Sequence, residues 1–208
     1  SDVYKRQIEP HAILRPCADI ERMGYPVFYL PVDSTGKVNT ATLSEHIAPD
    51  TRLVSIMAAN NEIGSIQDIP ALAAIAHSVG AMFHTDAVQA VGHIKIDVND
   101  LGVDMLSASA HKFHGPKGIG FLYVRKGTPL APYASGGSQE NHMRAGTENI
   151  ASIVGMAAAL KKCVDGLKDT AEHLTRLETK LIMGLSDANV RFSRNGSAAH
   201  IPGNISLS

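Results

Sequence analysis

Short apolar runs alternate with stretches of helical spacing along the first 125 residues. Over 12–23 the apolar positions Ile13, Leu14, Cys17, Ala18, Ile20 and Met23 follow helical spacing, which predicts a helix. Gly24-Tyr25-Pro26 stops it, and Val27-Phe28-Tyr29-Leu30-Pro31-Val32 is an apolar run suited to a buried strand. Asp33-Ser34-Thr35-Gly36 has the composition of a turn. A short helix is predicted over 40–47 with Thr40 as its N-cap, and a longer one over 69–78 behind Asp68. Strands are predicted over 53–57, 81–85, 103–107 and 120–125. This alternation predicts an α/β layer fold with a mostly parallel sheet flanked by helices. From Glu148 the pattern turns helical, with Leu160, Leu167, Leu174, Leu177 and Leu181 on an apolar stripe. The expected organisation is a large domain over 8–150, a helical connection over 151–188 and the start of a smaller α+β domain over 189–208.

Composition narrows the class of function. The chain has 208 residues, 44% of them hydrophobic, and a formal net charge of -1, so it has material for a sizeable core. That balance gives no reason to expect a nucleic-acid or membrane-surface partner. No apolar run has the length of a bilayer span, and no segment reads as a signal peptide. Cys17 and Cys163 stand far apart without a CxxC spacing, which argues against a disulfide framework or a zinc site and fits a reducing cytoplasm. Residues 1–7 fit poorly with the rest of the chain and are expected to be non-native, and 204–208 reads as a strand that stops without a partner. A fragment of a longer chain is the expectation.

Three segments carry candidate chemistry. In Ser107-Ala108-Ser109-Ala110-His111-Lys112-Phe113-His114-Gly115-Pro116-Lys117-Gly118, a lysine comes just after an apolar strand among small residues and histidines. Ligands gather at the carboxyl ends of strands in open α/β sheets. A lysine that is partly desolvated near other cations becomes a nucleophile toward an aldehyde; the plain alternative is a solvated surface lysine. In His84-Thr85-Asp86-Ala87-Val88-Gln89, Asp86 stands at another strand's end. Pyridoxal phosphate (PLP) chemistry needs a carboxylate there, against the pyridine nitrogen, and the alternative is a helix N-cap. In Asn60-Asn61-Glu62-Ile63-Gly64 the asparagine pair reads as a turn former, or as a donor to the cofactor's phenolic oxygen or to the substrate.

Together with Arg144-Ala145-Gly146-Thr147-Glu148-Asn149, these segments resemble the cysteine desulfurases that serve iron–sulfur assembly, within the class V aminotransferase superfamily of PLP fold type I. The resemblance implies that Lys112 holds PLP as a Schiff base and later shuttles the substrate's α-proton. It implies that Asp86 pairs with the pyridine nitrogen, that Gln89 and Asn61 bond the phenolic oxygen, and that Ser109 and His111 bind the phosphate. Thr147 matches a residue that reaches the phosphate in the neighbouring subunit, which implies a homodimer. The family's ring-stacking histidine comes directly after a glutamate; here Pro10 comes after Glu9, and His11, one place later, is expected to take the role.

The family's nucleophilic cysteine lies on a loop of the C-terminal domain, and neither Cys17 nor Cys163 matches it. The substrate-carboxylate arginine and the amino-terminal phosphate loop also lack counterparts, so the piece itself is expected to be inactive. The parent is expected to act on L-cysteine and to pass persulfide sulfur to an iron–sulfur scaffold or another acceptor protein. Selenocysteine lyase or another class V aminotransferase is the near alternative, and a catalytically silent partner-binding protein the distant one. Metal binding by His84, His111 and His114 would leave Lys112 and Asp86 unexplained, so no metal is expected.

Overall fold

The computed structural model describes residues 3–6 and 11–208, with side chains from residue 12 onward. In chain order the strands are β1 (Val3–Arg6), β2 (Val27–Leu30), β3 (Leu53–Ser55), β4 (Met82–Asp86), β5 (Met105–Ser109) and β6 (Gly120–Val124). The helices are α1 (His11–Arg22), α2 (Thr40–His46), α3 (Ile69–Ser78), the single turn α4 (Val98–Leu101), α5 (Ile150–Asp165) and α6 (Leu167–Asp187). The strands form one sheet in the order β2-β1-β3-β4-β5-β6. Neighbours pair in parallel as far as β5, and β6 runs antiparallel to it. Strand β1 falls within residues 1–7, the stretch expected to be foreign, and pairs with both β2 and β3.

Side chains alternate across a sheet, and register decides which share a face. Val54 pairs with Phe83 and Thr85 with Leu106, so these four lie on one face. All are fully or almost fully buried, and α3 adds Leu72, Ala73 and Ala76 to the same core. The pairs Ser55–His84 and Asp86–Ser107 occupy the opposite face, together with Ser109 two residues on. One face is thus apolar, while the other carries a polar row at the carboxyl ends of the parallel strands.

Helix starts are set by their caps. Asp68 accepts from the Ala71 N–H at 3.3 Å and opens α3 as expected. At α2 the cap is Asn39 rather than Thr40: Asn39 has extended dihedrals and accepts from the Ala41 N–H at 2.8 Å, whereas Thr40 is already helical. The long helical stretch divides at Gly166, which ends α5 and begins α6. Met156, Ala159, Leu160 and Cys163 of α5 pack against the core. The stripe of α6 is covered only in its first half, for Leu177 and Leu181 are exposed. Glu178 on that helix is buried and binds Arg194 Nη2 at 2.5 Å and His200 Nε2 at 3.1 Å. Residues 189–208 form isolated bridges, Ser65 with His200 and Arg194 with Leu207. Among the described residues no helix is long and apolar enough to cross a membrane.

Candidate functional site

Lys112 owes its position to a tight turn. A 3-10 helix over Ala110–Phe113 comes directly after β5. Residues three apart eclipse in such a turn, and Ala110 and Phe113 are both fully buried. His111 and Lys112, between them, are exposed. His114 then adopts a left-handed conformation, and Gly115 donates from its backbone to Ala110 O at 2.8 Å. A Cβ on Gly115 would lie 2.9 Å from both Cβ and O of Ala110, so the return needs glycine. Ser109 Oγ is 2.8 Å from His111 Nδ1, which ties the strand's last residue to the turn.

Asp86 ends β4, the strand beside β5, and is only 7% exposed. Its carboxylate accepts from the Val88 N–H at 3.0 Å, so it closes a turn, not a helix cap. Burial raises its pKa, and the Val88 hydrogen bond offsets part of that. Among the described residues it has no ion pair. Gln89 is half-buried in the turn just beyond it.

His84 lies on the same face as Asp86. Its Nδ1 is 2.8 Å from Ser55 Oγ and its Nε2 is 2.8 Å from Ser107 Oγ, a hydrogen-bonded string across three strands. Burial lowers its pKa to about 4, so the ring is neutral at ordinary pH. The sequence carries no sign of this role, because the two serines are 29 and 23 residues away and only register brings them together. His93 was also missed. Burial lowers its pKa, a bond to Val91 O opposes this, and the charges of His114 and Lys112 lower it further.

The asparagine pair divides its duties. Asn60 is the turn former: it is buried, and its Oδ1 accepts from the N–H groups of Glu62 and Ile63 at 2.9 Å each. Asn61 is exposed beyond the end of β3. The carboxyl ends of adjacent strands β3, β4 and β5 therefore lead to Asn61, to Asp86 and Gln89, and to Ser109, His111 and Lys112. Thr147 is exposed on the loop before α5, apart from this row in sequence. His11 begins α1, and its side chain lies outside the described residues, as do Glu9 and Pro10.

Two surface hollows, of about 380 Å³ beside Ser44 and Ala74 and about 480 Å³ beside His93 and Val164, include neither Lys112 nor Asp86. Among the described residues no group of three or more His, Cys, Asp or Glu is arranged to hold a metal ion.

The aminotransferase class-V family profile matches residues 2–206. The chain belongs to the class-V aminotransferase family. It is 47% identical over 207 residues to the cysteine desulfurase IscS of Dictyoglomus turgidum, covering 99% of this chain and 52% of that protein. With the IscS of Methanosarcina thermophila it shares 49% identity over 183 residues, 88% of this chain and 45% of the relative. Among solved structures, a NifS-like protein superposes with a TM-score of 0.94 at 40% identity, covering all of this chain and 57% of its own. DndA from Streptomyces lividans gives 0.89 at 32% identity, over 97% of this chain and 57% of its own. The chain spans about half the length of the curated relatives it matches. The mixed sheet flanked by helices is that of these solved structures, as the sequence pattern predicted.

Proposed function

We propose that the whole protein is a PLP-dependent cysteine desulfurase. In this reading it converts L-cysteine to L-alanine and passes the sulfur, as an enzyme persulfide, to an iron–sulfur scaffold or other acceptor protein. It acts as a cytoplasmic homodimer. The observation that carries the reading is Asp86: a buried carboxylate without an ion pair among the described residues, at the strand end beside the one bearing Lys112. Burying such a group is costly unless a cation meets it, and a protonated pyridine nitrogen is such a cation.

The cofactor, when bound, supplies an electron sink for the charge that develops at the substrate's α-carbon. Asp86 would hold the proton on the ring nitrogen. Asn61 and Gln89 would donate to the phenolic oxygen, while Ser109 and His111 would hold the phosphate. By the family resemblance, His11 would cover the ring and Thr147 would serve the partner subunit's phosphate site. Lys112 Nζ would hold the cofactor through its aldehyde and would move the proton at the substrate's α-carbon. Exposure leaves Lys112 free to reach, and the lysine charge bears on the half-buried His93.

Neither cysteine in this chain suits the role of sulfur acceptor. Cys17 is buried on α1, and Cys163 Sγ donates to Phe113 O at 3.4 Å behind the lysine turn. A reactive thiolate needs exposure and a lowered pKa, so in this reading the nucleophile belongs to another part of the whole protein.

The test is product analysis on the full-length protein with L-cysteine, with selenocysteine, and with pyruvate as amino acceptor. Alanine and persulfide from L-cysteine are expected. Pyruvate-dependent amino transfer alone would overturn the desulfurase reading, and turnover confined to selenocysteine would reassign it to a lyase.

A further inference from the structure

The loop that carries Asn61 is gripped by a distant segment, in which Asn204 meets Asn61 from 143 residues later in the chain. Asn60 through Gly64 form a single turn, closed by the Gly64 N–H donating to Asn60 O at 3.1 Å. Within such a turn the carbonyls of the middle residues have no partner of their own. Two of the carbonyls here are met from a second turn over Ile201–Asn204, itself closed by the Asn204 N–H on Ile201 O at 3.0 Å. The Ile201 N–H donates to Gly64 O at 2.9 Å, and Asn204 Nδ2 donates to Asn61 O at 3.1 Å.

The fit between the turns is close. Gly64 has a φ of +71°, and a Cβ there would lie 2.9 Å from both Cβ and Cγ of Asn204, so Asn204 occupies the space a side chain would take. Ile201 is buried beside it. Further along, Ser65 Oγ accepts from the Ser197 N–H at 3.0 Å and donates to Thr35 O at 2.5 Å, and the Ile66 N–H donates to Ala199 O at 3.2 Å. The gripping segment is anchored in turn to α6 by the Glu178 pairs with Arg194 and His200.

We propose that Asn204 is a positioning residue for Asn61, setting where the Asn61 amide stands at the cofactor's phenolic oxygen through its hold on the Asn61 backbone carbonyl. This rests on the assignment of Asn61 above. Asn61 is exposed, and among the described residues its side chain makes no hydrogen bond, so the grip of Asn204 on its backbone carbonyl sets the place from which that side chain reaches. A donor to the phenolic oxygen favours its ionised form. Loosening Asn204 therefore raises the pH at which the visible band of the bound cofactor titrates.

The experiment is a double-mutant cycle on full-length, PLP-loaded protein, with Asn204→Asp and Asn61→Ala singly and together. Asn204→Asp keeps the shape and removes the donor. We expect it to raise the titration midpoint by up to about one unit, the size of one hydrogen bond to an ionised oxygen. We expect no further rise in the Asn61→Ala background. The cofactor-free proteins supply a second readout: amide exchange at Glu62, Ile63 and Gly64 should quicken about tenfold in Asn204→Asp and in the milder Asn204→Ser. An equal shift with and without Asn61, or unchanged midpoint and exchange, overturns the proposal. If Asn61→Ala leaves the midpoint of a bound cofactor unmoved, the assignment of Asn61 fails and the proposal with it. If the wild-type protein takes up no PLP, it is the functional reading that fails, and quickened exchange would then show a grip without a cofactor role.

Discussion

His84 Nε2 stands 2.8 Å from Ser107 Oγ, and the same ring meets Ser55 on its other side. Both nitrogens are satisfied by hydroxyls that rotate to suit one neutral tautomer. Burial holds the folded-state pKa near 4, below the ordinary 6.5. Between those values the unfolded chain takes up a proton that the native ring refuses. The contribution of His84 is therefore whole above about pH 6.5 and is lost as pH falls toward 4. Allowing for solvent at a ring that is not fully enclosed, the loss is about 2 kcal/mol. Unfolding midpoints of wild type and His84→Gln, tracked from pH 7 to about 4, should converge as the wild type alone loses this increment. Parallel curves would contradict it.

Asp86 titrates with the opposite sign. Its folded pKa is raised by burial, so its contribution is present below the ordinary carboxylate range and is lost as pH rises through the raised value. The cofactor-free Asp86→Asn protein should be more stable than wild type at pH 7 by about 1 kcal/mol, a common trade at functional sites. Added PLP should raise the thermal midpoint of the wild type and leave that of the variant nearly unchanged. A variant less stable at pH 7, or one equally stabilised by PLP, would show that Asp86 is a structural carboxylate.

The turn under Lys112 gives a steric prediction. Gly115→Ala places a methyl 2.9 Å from Ala110 Cβ and O, in a layer closed by the fully buried Phe113. Overpacking of this kind costs about 1–3 kcal/mol. Because His111 and Lys112 ride on the same turn, PLP affinity should fall at least tenfold while circular dichroism at 25 °C still reports a folded protein. Unchanged affinity would mean that the turn does not set the lysine's place.

Much of this arrangement was legible in the residues. Asp68 capping the helix over Ile69–Ser78 and the apolar strands around Phe83 and Leu106 can be read from spacing alone, because each depends on neighbours in sequence. Lys112, Asp86 and Asn61 were readable as strand-end residues for the same reason. The string Ser55–His84–Ser107 was not, since a histidine inside an apolar strand gives no sign of which residues register will set beside it. Nor was the bond from Asn204 to Asn61, which joins residues 143 apart. At α2, Asn39 and Thr40 are both capable caps, and backbone dihedrals, not composition, chose Asn39.

In the proposed function Lys112 binds the cofactor's aldehyde. Full-length protein should be mixed with PLP, reduced with borohydride, digested and mapped by mass spectrometry. A visible absorbance band that reduction abolishes is expected, with a pyridoxyl label on the peptide bearing Lys112 that Lys112→Ala eliminates. A label on another lysine, such as the neighbouring Lys117, or a band that persists in Lys112→Ala, would refute the assignment.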